Sequence, residues 1–210
     1  MNNQPEHRDI GNGWKLRTRI IAGTAITVLS NDPRLGEAIL ATARPINTED
    51  HYGCPPDHPA THDPSYRPTP PRPADSTHAV ESISICHYTT STSPNQAQAA
   101  PLIASARTTG NHTQNLLTAL RTAPTGSGPN EPGNCAPEAS LGNRLMVLRL
   151  HFHDEQPPQD IVLRYSGCVR NGTDDGHTPR HLTRPLLTEI NNNPTRLDEG
   201  IKPVFDLTNQ

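Results

Sequence analysis

The strongest secondary-structure signals of the chain lie in Leu145–Gly172, which has the sequence LMVLRLHFHDEQPPQDIVLRYSGCVRNG. In Met146–Phe152, large apolar residues alternate with polar ones, and this period of two predicts a strand with one face in the core and the other in solvent. Asp154–Asp160 contains two prolines and several acidic or amide side chains, which favour a hairpin loop. Ile161–Tyr165 is therefore predicted to return as the second strand, ahead of an Asn-Gly turn.

Three further segments complete the predicted domain. Ala79–Tyr88 alternates isoleucines with small polar residues, which predicts another strand. Asn111–Thr122 places leucines three and four residues apart before a Pro/Gly-rich loop, which predicts a helix. Pro179–Ile190, with Thr178 as its N-cap, predicts a weaker helix that is broken or kinked near Pro185. Together these elements predict an α+β fold, in which a small antiparallel sheet of about three to four strands packs on one or two helices.

The composition indicates that only part of the chain forms a core. Apolar residues make up 31% of the 210 residues and there are 23 prolines, whereas an ordinary globular domain uses roughly 45–50% apolar residues. The predicted organisation is a disordered polar tail with an export or anchor segment at residues 1–43, a proline-rich linker at 44–75, the α+β domain at 76–190 and a C-terminal tail at 191–210.

The export or anchor segment is predicted from a basic stretch followed by an apolar one. Trp14–Arg19 contains three basic residues, and Ile20–Leu29 has no charge, an order that is typical of a secretory signal or membrane anchor. The apolar run is shorter than the roughly 20 residues that span a bilayer, so an N-terminal amphipathic helix of a cytosolic protein is the alternative. The segment favours an extracytoplasmic protein, secreted or membrane-associated, over a cytoplasmic one.

The four cysteines predict two disulfides in an exported protein, with three connectivities to choose from. The second hairpin strand returns Cys168 to the end of the hairpin at which the loop with Cys135 enters. Cys86 faces away from the isoleucines of its strand, on a surface to which the proline-rich segment can bring Cys54. These positions favour the pairs Cys54–Cys86 and Cys135–Cys168. Four free thiols in a reducing cytosol are the alternative.

Four short motifs follow one another in the predicted domain. They are Ile85–Tyr88 (ICHY), Thr118–Pro124 (TALRTAP) at the helix end, the lone Cys135, and Gly167–Gly172 (GCVRNG). This series resembles a recurring actinobacterial secreted or lipoprotein domain, over about residues 76–190. Its members have an arginine where this chain has a histidine in the first motif, and no lipobox precedes the first cysteine here. The resemblance implies an extracytoplasmic α+β domain and no particular activity.

Two groups of histidines are candidate metal ligands. The first lies in the proline-rich segment, where one thiolate and three imidazoles make a donor set for tetrahedral zinc; it consists of His51, Cys54, His58 and His62. The second is the pair His151 and His153, which lie two apart on the outer face of a strand beside Asp154 and Glu155. Solvated histidines are the alternative for both groups, since structural zinc sites usually use two or more cysteines.

Function is predicted mainly by exclusion. The net charge of −3 and the 3% aromatic content exclude a nucleic-acid-binding surface with a basic stripe and stacking rings. Because no catalytic or nucleotide-binding motif occurs, we expect no catalytic residue and no cofactor. The leading hypothesis is a non-catalytic extracytoplasmic module that acts on an unidentified protein or cell-envelope partner, with N-terminal membrane association. The alternatives are a metal-dependent enzyme or metal-binding module that uses the histidines, and a secreted protease-inhibitor-like domain with a disulfide-held loop.

Overall fold

The computed structural model describes residues 6–21, 23–69, 79–90, 102–131, 133, 135, 141–154 and 156–192. The chain divides into two compact units, residues 1–47 and 48–210, and each is described by itself. Helices and antiparallel sheets occur in both, so the predicted α+β class is confirmed. The prediction of about three to four strands is too small, because the two sheets have three and six strands.

The N-terminal unit is a three-stranded antiparallel sheet followed by a helix. Its strands pair in chain order and are β1 (Glu6–Gly11), β2 (Trp14–Ile21) and β3 (Thr24–Ser30). The helix, α1 (Pro33–Thr42), begins at Asp32, whose carboxylate accepts hydrogen bonds from the next free backbone N–H groups. This is the usual role of an N-cap aspartate.

The interpretation of residues 1–43 as a disordered polar tail is wrong for the described residues 6–42, which form strands and a helix; a role of this segment in export or anchoring stays a prediction. Ile20–Leu29 does not form one continuous apolar element, because Ile21 pairs with Thr24 across a turn and the run folds back on itself. In β2 the three basic residues occupy every second position, which is the period of a strand. Within the described part of the chain, we find no helix with the length and apolar character needed to cross a bilayer.

The C-terminal unit is built on a six-stranded antiparallel sheet with the strand order β5-β4-β6-β7-β8-β9. The strands are β4 (Val80–Thr89), β5 (Leu102–Thr109), β6 (Arg144–Phe152), β7 (Gln159–Arg164), β8 (Gly172–Asp174) and β9 (Pro179–Arg180). The hairpin predicted from the sequence is β6 and β7, in which Met146 pairs with Leu163. The strand predicted at Ala79–Tyr88 is β4, which lies between the edge strand β5 and β6.

Two helices cover one face of this sheet, which we call the helical face. They are α2 (Gly110–Thr122), close to its predicted bounds, and α3 (Arg184–Asn191). The start predicted for the second helix is wrong, because Thr183 rather than Thr178 is its N-cap. Pro185 does not kink this helix but lies in its first turn, where a missing N–H costs nothing. The apolar cluster on this face includes Ile83, Ile85, Leu116, Leu120, Met146, Leu148, Leu163, Leu186 and Ile190.

Residues 48–69, which we call the arm, cover the opposite face of the sheet. Apart from a 3₁₀ turn at Pro59–Thr61 the arm has no regular structure. Its side chains join a second buried cluster that contains Cys54, Ala60, Cys86, Tyr88, Leu145, Val147 and Val162. The prediction of a solvent-exposed outer face on β6 is therefore wrong, since Leu145 and Val147 are fully buried.

The interpretation of residues 44–75 as a linker is wrong for the arm, and the physical reason lies in its carbonyl groups. Proline removes a donor but keeps an acceptor. The carbonyl of Pro55 accepts a hydrogen bond from the Tyr88 hydroxyl at 2.9 Å, and that of Pro56 accepts one from the Leu102 N–H at 3.2 Å. Prolines thus help to dock the arm on the sheet. Residues 70–78, and residues 193–210 of the predicted C-terminal tail, lie outside the described residues.

Candidate functional site

Two disulfides connect the C-terminal unit. Cys54 pairs with Cys86 and Cys135 with Cys168, at Cα–Cα distances of 5.5 and 5.8 Å, and this is the pairing that the sequence favoured. The first bond is completely buried and joins the arm to β4. The second joins the loop after α2 to the loop after β7. Two such bonds indicate that the protein folds in an oxidising environment.

A polar network holds the first half of the arm on the sheet. The Arg149 guanidinium of β6 donates to the Glu49 carboxylate at 2.7 Å, to the Gly53 carbonyl at 3.1 Å and to the Asp160 carboxylate at 3.0 Å. His58 is buried between the layers, where its Nδ1 accepts from the Ala60 N–H and its Nε2 lies 3.3 Å from the same Asp160. Buried polar groups need such partners, so the network fixes the arm in place.

Ser84 and His151 have the spacing of a nucleophile and its base, with 2.7 Å between Oγ and Nε2. Their chemistry is different. The one hydroxyl hydrogen of Ser84 is donated to the carbonyl of Tyr52 in the arm, so His151 is the donor in the shared bond and has no lone pair to offer at Nε2. Burial, together with Arg107 and Arg149, lowers the pKa of His151. Ser84 is 0% exposed, and the pair is a structural contact between arm and sheet.

His87 and Tyr165 form a second buried polar pair, on the helical face. The imidazole Nε2 and the phenol hydroxyl are hydrogen-bonded to each other. Burial, with a smaller contribution from the charge of Arg144, lowers the pKa of His87 to about 4. Burial also raises the pKa of Tyr165. Both rings are therefore neutral at neutral pH, and they satisfy each other within the core.

The structure does not gather the predicted metal ligands into one site. The sulfur of Cys54 is in a disulfide, so the zinc hypothesis that needs its thiolate is wrong. His62 is exposed and bonded to Asp57, His51 and His153 are exposed, and His58 and His151 have the partners described above. Across the residues that the structure describes, no three or more His, Cys, Asp or Glu side chains are placed to hold a metal ion.

An open cleft of about 240 Å³ lies between the second half of the arm and the β7–β8 side of the sheet. We call it the arginine cleft. The arm forms one wall, the loop after α2 forms another, and β7, β8 and the turn before β8 form the floor. Its lining residues are Pro64, Ser65, Tyr66, Arg67, Gly126, Ser127, Val162, Arg164, Arg170, Asn171, Gly172, Thr173, Asp174 and Pro179.

The arginine cleft carries more positive than negative charge. Arg67 of the arm makes a bidentate ion pair with Asp174, at 2.7 and 2.9 Å. Arg164 is half-buried, and its Nη2 atom is buried without a hydrogen-bond partner among the described residues. Burial and the nearby charge of Arg170 lower the pKa of Arg164. The cleft thus contains two guanidinium groups in excess of its one lining carboxylate, since it is lined by three arginines and one aspartate.

Asn171 fixes the turn that carries Arg170. Its side-chain amide donates to the carbonyls of Pro129 and Gly167 at 2.8 Å each, and its backbone N–H donates to the Asn130 side chain. The next residue, Gly172, has a φ of +144°, and a Cβ there would lie 2.5 Å from the Arg180 carbonyl oxygen. Only glycine fits at this position. The Asn-Gly pair seen in the sequence therefore builds the floor of the cleft.

Sequence reasoning missed the cleft because its charged residues form no motif. Arg67, Arg164, Arg170 and Asp174 are spread over 107 positions. The sequence feature closest to the cleft is the Asn171–Gly172 pair, which predicts a turn but does not by itself indicate a binding site.

No family model matches this chain, and no curated protein and no solved structure is similar to it.

Proposed function

We propose that the C-terminal unit is a non-catalytic binding module of the extracytoplasmic space, and that the arginine cleft is its ligand site. The observation that carries this proposal is the lining of the cleft. It combines three guanidinium groups and several hydroxyl groups with apolar side chains, one amide and one carboxylate, and its described lining residues include no histidine and no cysteine. The single carboxylate, Asp174, is engaged by Arg67. Such a surface can bind and orient a ligand, but it offers no general base for proton transfer.

The extracytoplasmic part of the proposal is supported by the place of the Cys54–Cys86 bond. This disulfide lies in the buried layer between arm and sheet, so folding of the arm depends on oxidation. The resemblance to a secreted or lipoprotein domain of actinobacteria agrees with this location. A protein or a component of the cell envelope is the partner we propose.

The Ser84–His151 contact is the one observation that favours an enzyme. Against it stand the full burial of Ser84 and the donation of its hydroxyl hydrogen to the arm. An active serine would need the arm to move away. The inhibitor alternative needs an exposed loop held by a disulfide, and beyond the two disulfides no observation on the described residues favours it.

Cell fractionation combined with thiol alkylation tests the location. We expect the native protein outside the cytoplasm, with all four cysteines protected from alkylation until a reductant is added. Native protein in the cytosol with four reactive thiols would contradict the proposal.

A fragment screen followed by amide chemical-shift mapping tests the binding site. The screen should contain neutral, cationic and anionic fragments in equal number, and the full-length chain should be used. We expect at least one class to shift the amides of Gly126, Gly172 and Thr173, which line the cleft. If no fragment shifts these amides, the proposed site is wrong.

A further inference from the structure

Two cations of the arginine cleft lack a counter-ion. Arg67 and Asp174 neutralise each other, which leaves Arg164 and Arg170 without an ion pair within the described part of the chain. The charges of Asp63 and Asp174 act on Arg164 from a distance, but these carboxylates accept their hydrogen bonds from other groups, among them Ser65 and Arg67. Within the described part of the chain, no carboxylate is therefore recorded in direct contact with the guanidinium groups of Arg164 and Arg170.

Burial makes the lack of an acceptor costly. Arg164 lies on β7 opposite Gly172, and its Nη2 atom is shielded from solvent without a hydrogen-bond partner among the described residues. A buried donor without an acceptor loses the hydrogen bonds that water would have given it. A hydrophobic side chain of similar size would avoid that cost. An arginine at this position is explained if a ligand in the cleft places negative charge beside the guanidinium group, since the cleft is lined by Arg164 while its Nη2 atom is itself shielded.

The backbone positions from which the two guanidinium groups extend are fixed before any ligand arrives. Arg164 extends from a paired strand, and Arg170 lies in a turn that is fixed by the hydrogen bonds of Asn171 and by the tight packing of Gly172. A guanidinium group presents a planar fork of donors that matches carboxylate and phosphate oxygens. Fixing such donors in advance lowers the entropy lost on binding.

We infer that the arginine cleft binds an oxyanion, the carboxylate or phosphate group of a small ligand, through Arg164 and Arg170. This inference rests on the proposed function and names its ligand class. The cleft volume of about 240 Å³ is below the roughly 300–1,000 Å³ of sites that enclose drug-sized molecules. The cleft is therefore large enough for one charged group of a ligand but too small to enclose a drug-sized molecule.

Titration of the full-length chain with sodium acetate, inorganic phosphate and glycerol, at constant ionic strength, tests the inference. We expect saturable amide shifts at Gly172 and Thr173 with acetate or phosphate and none with glycerol. Saturation by acetate alone assigns the site to carboxylates, and saturation by phosphate alone assigns it to phosphates. Both results support an oxyanion site.

Arginine variants make the test specific. Arg164→Gln and Arg170→Gln should each raise the dissociation constant of the bound anion about tenfold or more, because each removes charge-assisted hydrogen bonds. Arg34→Gln, an exposed arginine of the N-terminal unit, is the matched control and should leave it unchanged. If Arg164→Gln does not fold, Arg170→Gln alone decides, because Arg170 is exposed.

Two results would overturn the inference, and they are distinguishable from failure of the proposed function. The first is wild-type affinity for the anion in both cleft variants. The second is binding of neutral or cationic fragments in the cleft with no response to either anion; this result would leave the binding module in place and remove only its ligand class. If nothing binds in the cleft, both proposals fail.

Discussion

The two faces of the six-stranded sheet are both buried, but they are buried by different kinds of chain. On the helical face, two helices cover a continuous apolar cluster. On the arm face, a proline-rich segment without regular strands or α-helices covers a smaller cluster and is held by a disulfide and a polar network. Strand β6 contributes to both, with Leu148 on the helical face and Leu145 on the arm face, and each is 0% exposed.

The comparison shows that a chain segment can complete a core even when it contains few of the large apolar residues that usually indicate one. Hydrophobic burial is roughly proportional to the apolar area removed from water, whatever covers it. The arm supplies few large apolar side chains, but it excludes water from those of the sheet. Covalent and polar contacts then replace the helix-to-sheet packing that holds the other face.

Removal of the buried disulfide should have the largest effect. The Cys54→Ser/Cys86→Ser variant should lose about 4–5 kcal/mol of unfolding free energy, since it frees a long loop and unpacks the arm. The Cys135–Cys168 bond closes a loop of similar length, with a sequence separation of 33 against 32, so the Cys135→Ser/Cys168→Ser variant should lose about 3–4 kcal/mol. Urea unfolding without reductant measures both. A larger loss for the second pair would mean that the arm adds nothing to the core.

A matched pair of leucine variants compares the faces directly. Leu148→Ala and Leu145→Ala each remove a fully buried side chain of β6, and each should cost about 3–4 kcal/mol of unfolding free energy. Equilibrium denaturation with both variants in one buffer gives the two values. If Leu145→Ala costs less than about 1 kcal/mol, well under the usual range for a buried leucine, the arm face is open in solution.

The helical face should be the more sensitive to acid. Because burial lowers the folded-state pKa of His87 to about 4, the unfolded chain binds the proton more tightly than the folded one. The contribution of neutral His87 to the free energy of unfolding is complete above about pH 6.5 and is lost as the pH falls from there toward 4. It amounts to about 3 kcal/mol. His87→Gln should flatten the profile of unfolding free energy over this range. A profile that is unchanged by this substitution would exclude His87 as the cause.

The smallest effect is expected at the rim of the arm. Glu49 is 44% exposed and its ion pair with Arg149 is only partly shielded from water, so Glu49→Gln should cost about 0.5 kcal/mol. Glu81→Gln, at an exposed position of β4, is the control and should be neutral. Thermal unfolding at low and high salt separates the two, because only the Glu49 effect should shrink as salt screens the pair. A loss of several kcal/mol at Glu49 would show that the polar network is more buried than described.

The parts of the fold that were predictable are those with a regular apolar period. The hairpin of β6 and β7 and the helix α2 follow from alternation and from leucines three and four apart, and burial on the helical face enforces the same period. The N-terminal sheet was not predicted, because the uncharged run Ile20–Leu29 resembles one continuous apolar segment although it contains the turn between β2 and β3. The sequence feature that indicates the turn is Gly23, a glycine within the apolar run, and it has a φ of +82° in the structure.

The arm and the arginine cleft were beyond sequence reasoning for a different reason. Prolines disfavour helices and paired strands, but they do not prevent a segment from packing on a sheet. The carbonyls of Pro55 and Pro56 accept hydrogen bonds in the structure, and amino-acid composition does not reveal such bonds. The cleft forms only once the arm is docked, because Arg67 crosses from the arm to Asp174 on β8. Because the arm forms one wall of the arginine cleft, the cleft cannot be predicted from the sequence of any one segment.

Native-state hydrogen exchange of the arm tests the central claim most directly. The N–H groups of Cys54, Ala60 and Thr61 are bonded to Asp50, His58 and the His58 carbonyl within the docked arm. We predict that these amides exchange at least about a hundredfold more slowly than in the unfolded chain, and that reduction of the disulfides abolishes their protection. Exchange at the unfolded-chain rate in the oxidised protein would show that residues 48–69 are a linker and not a layer of the domain.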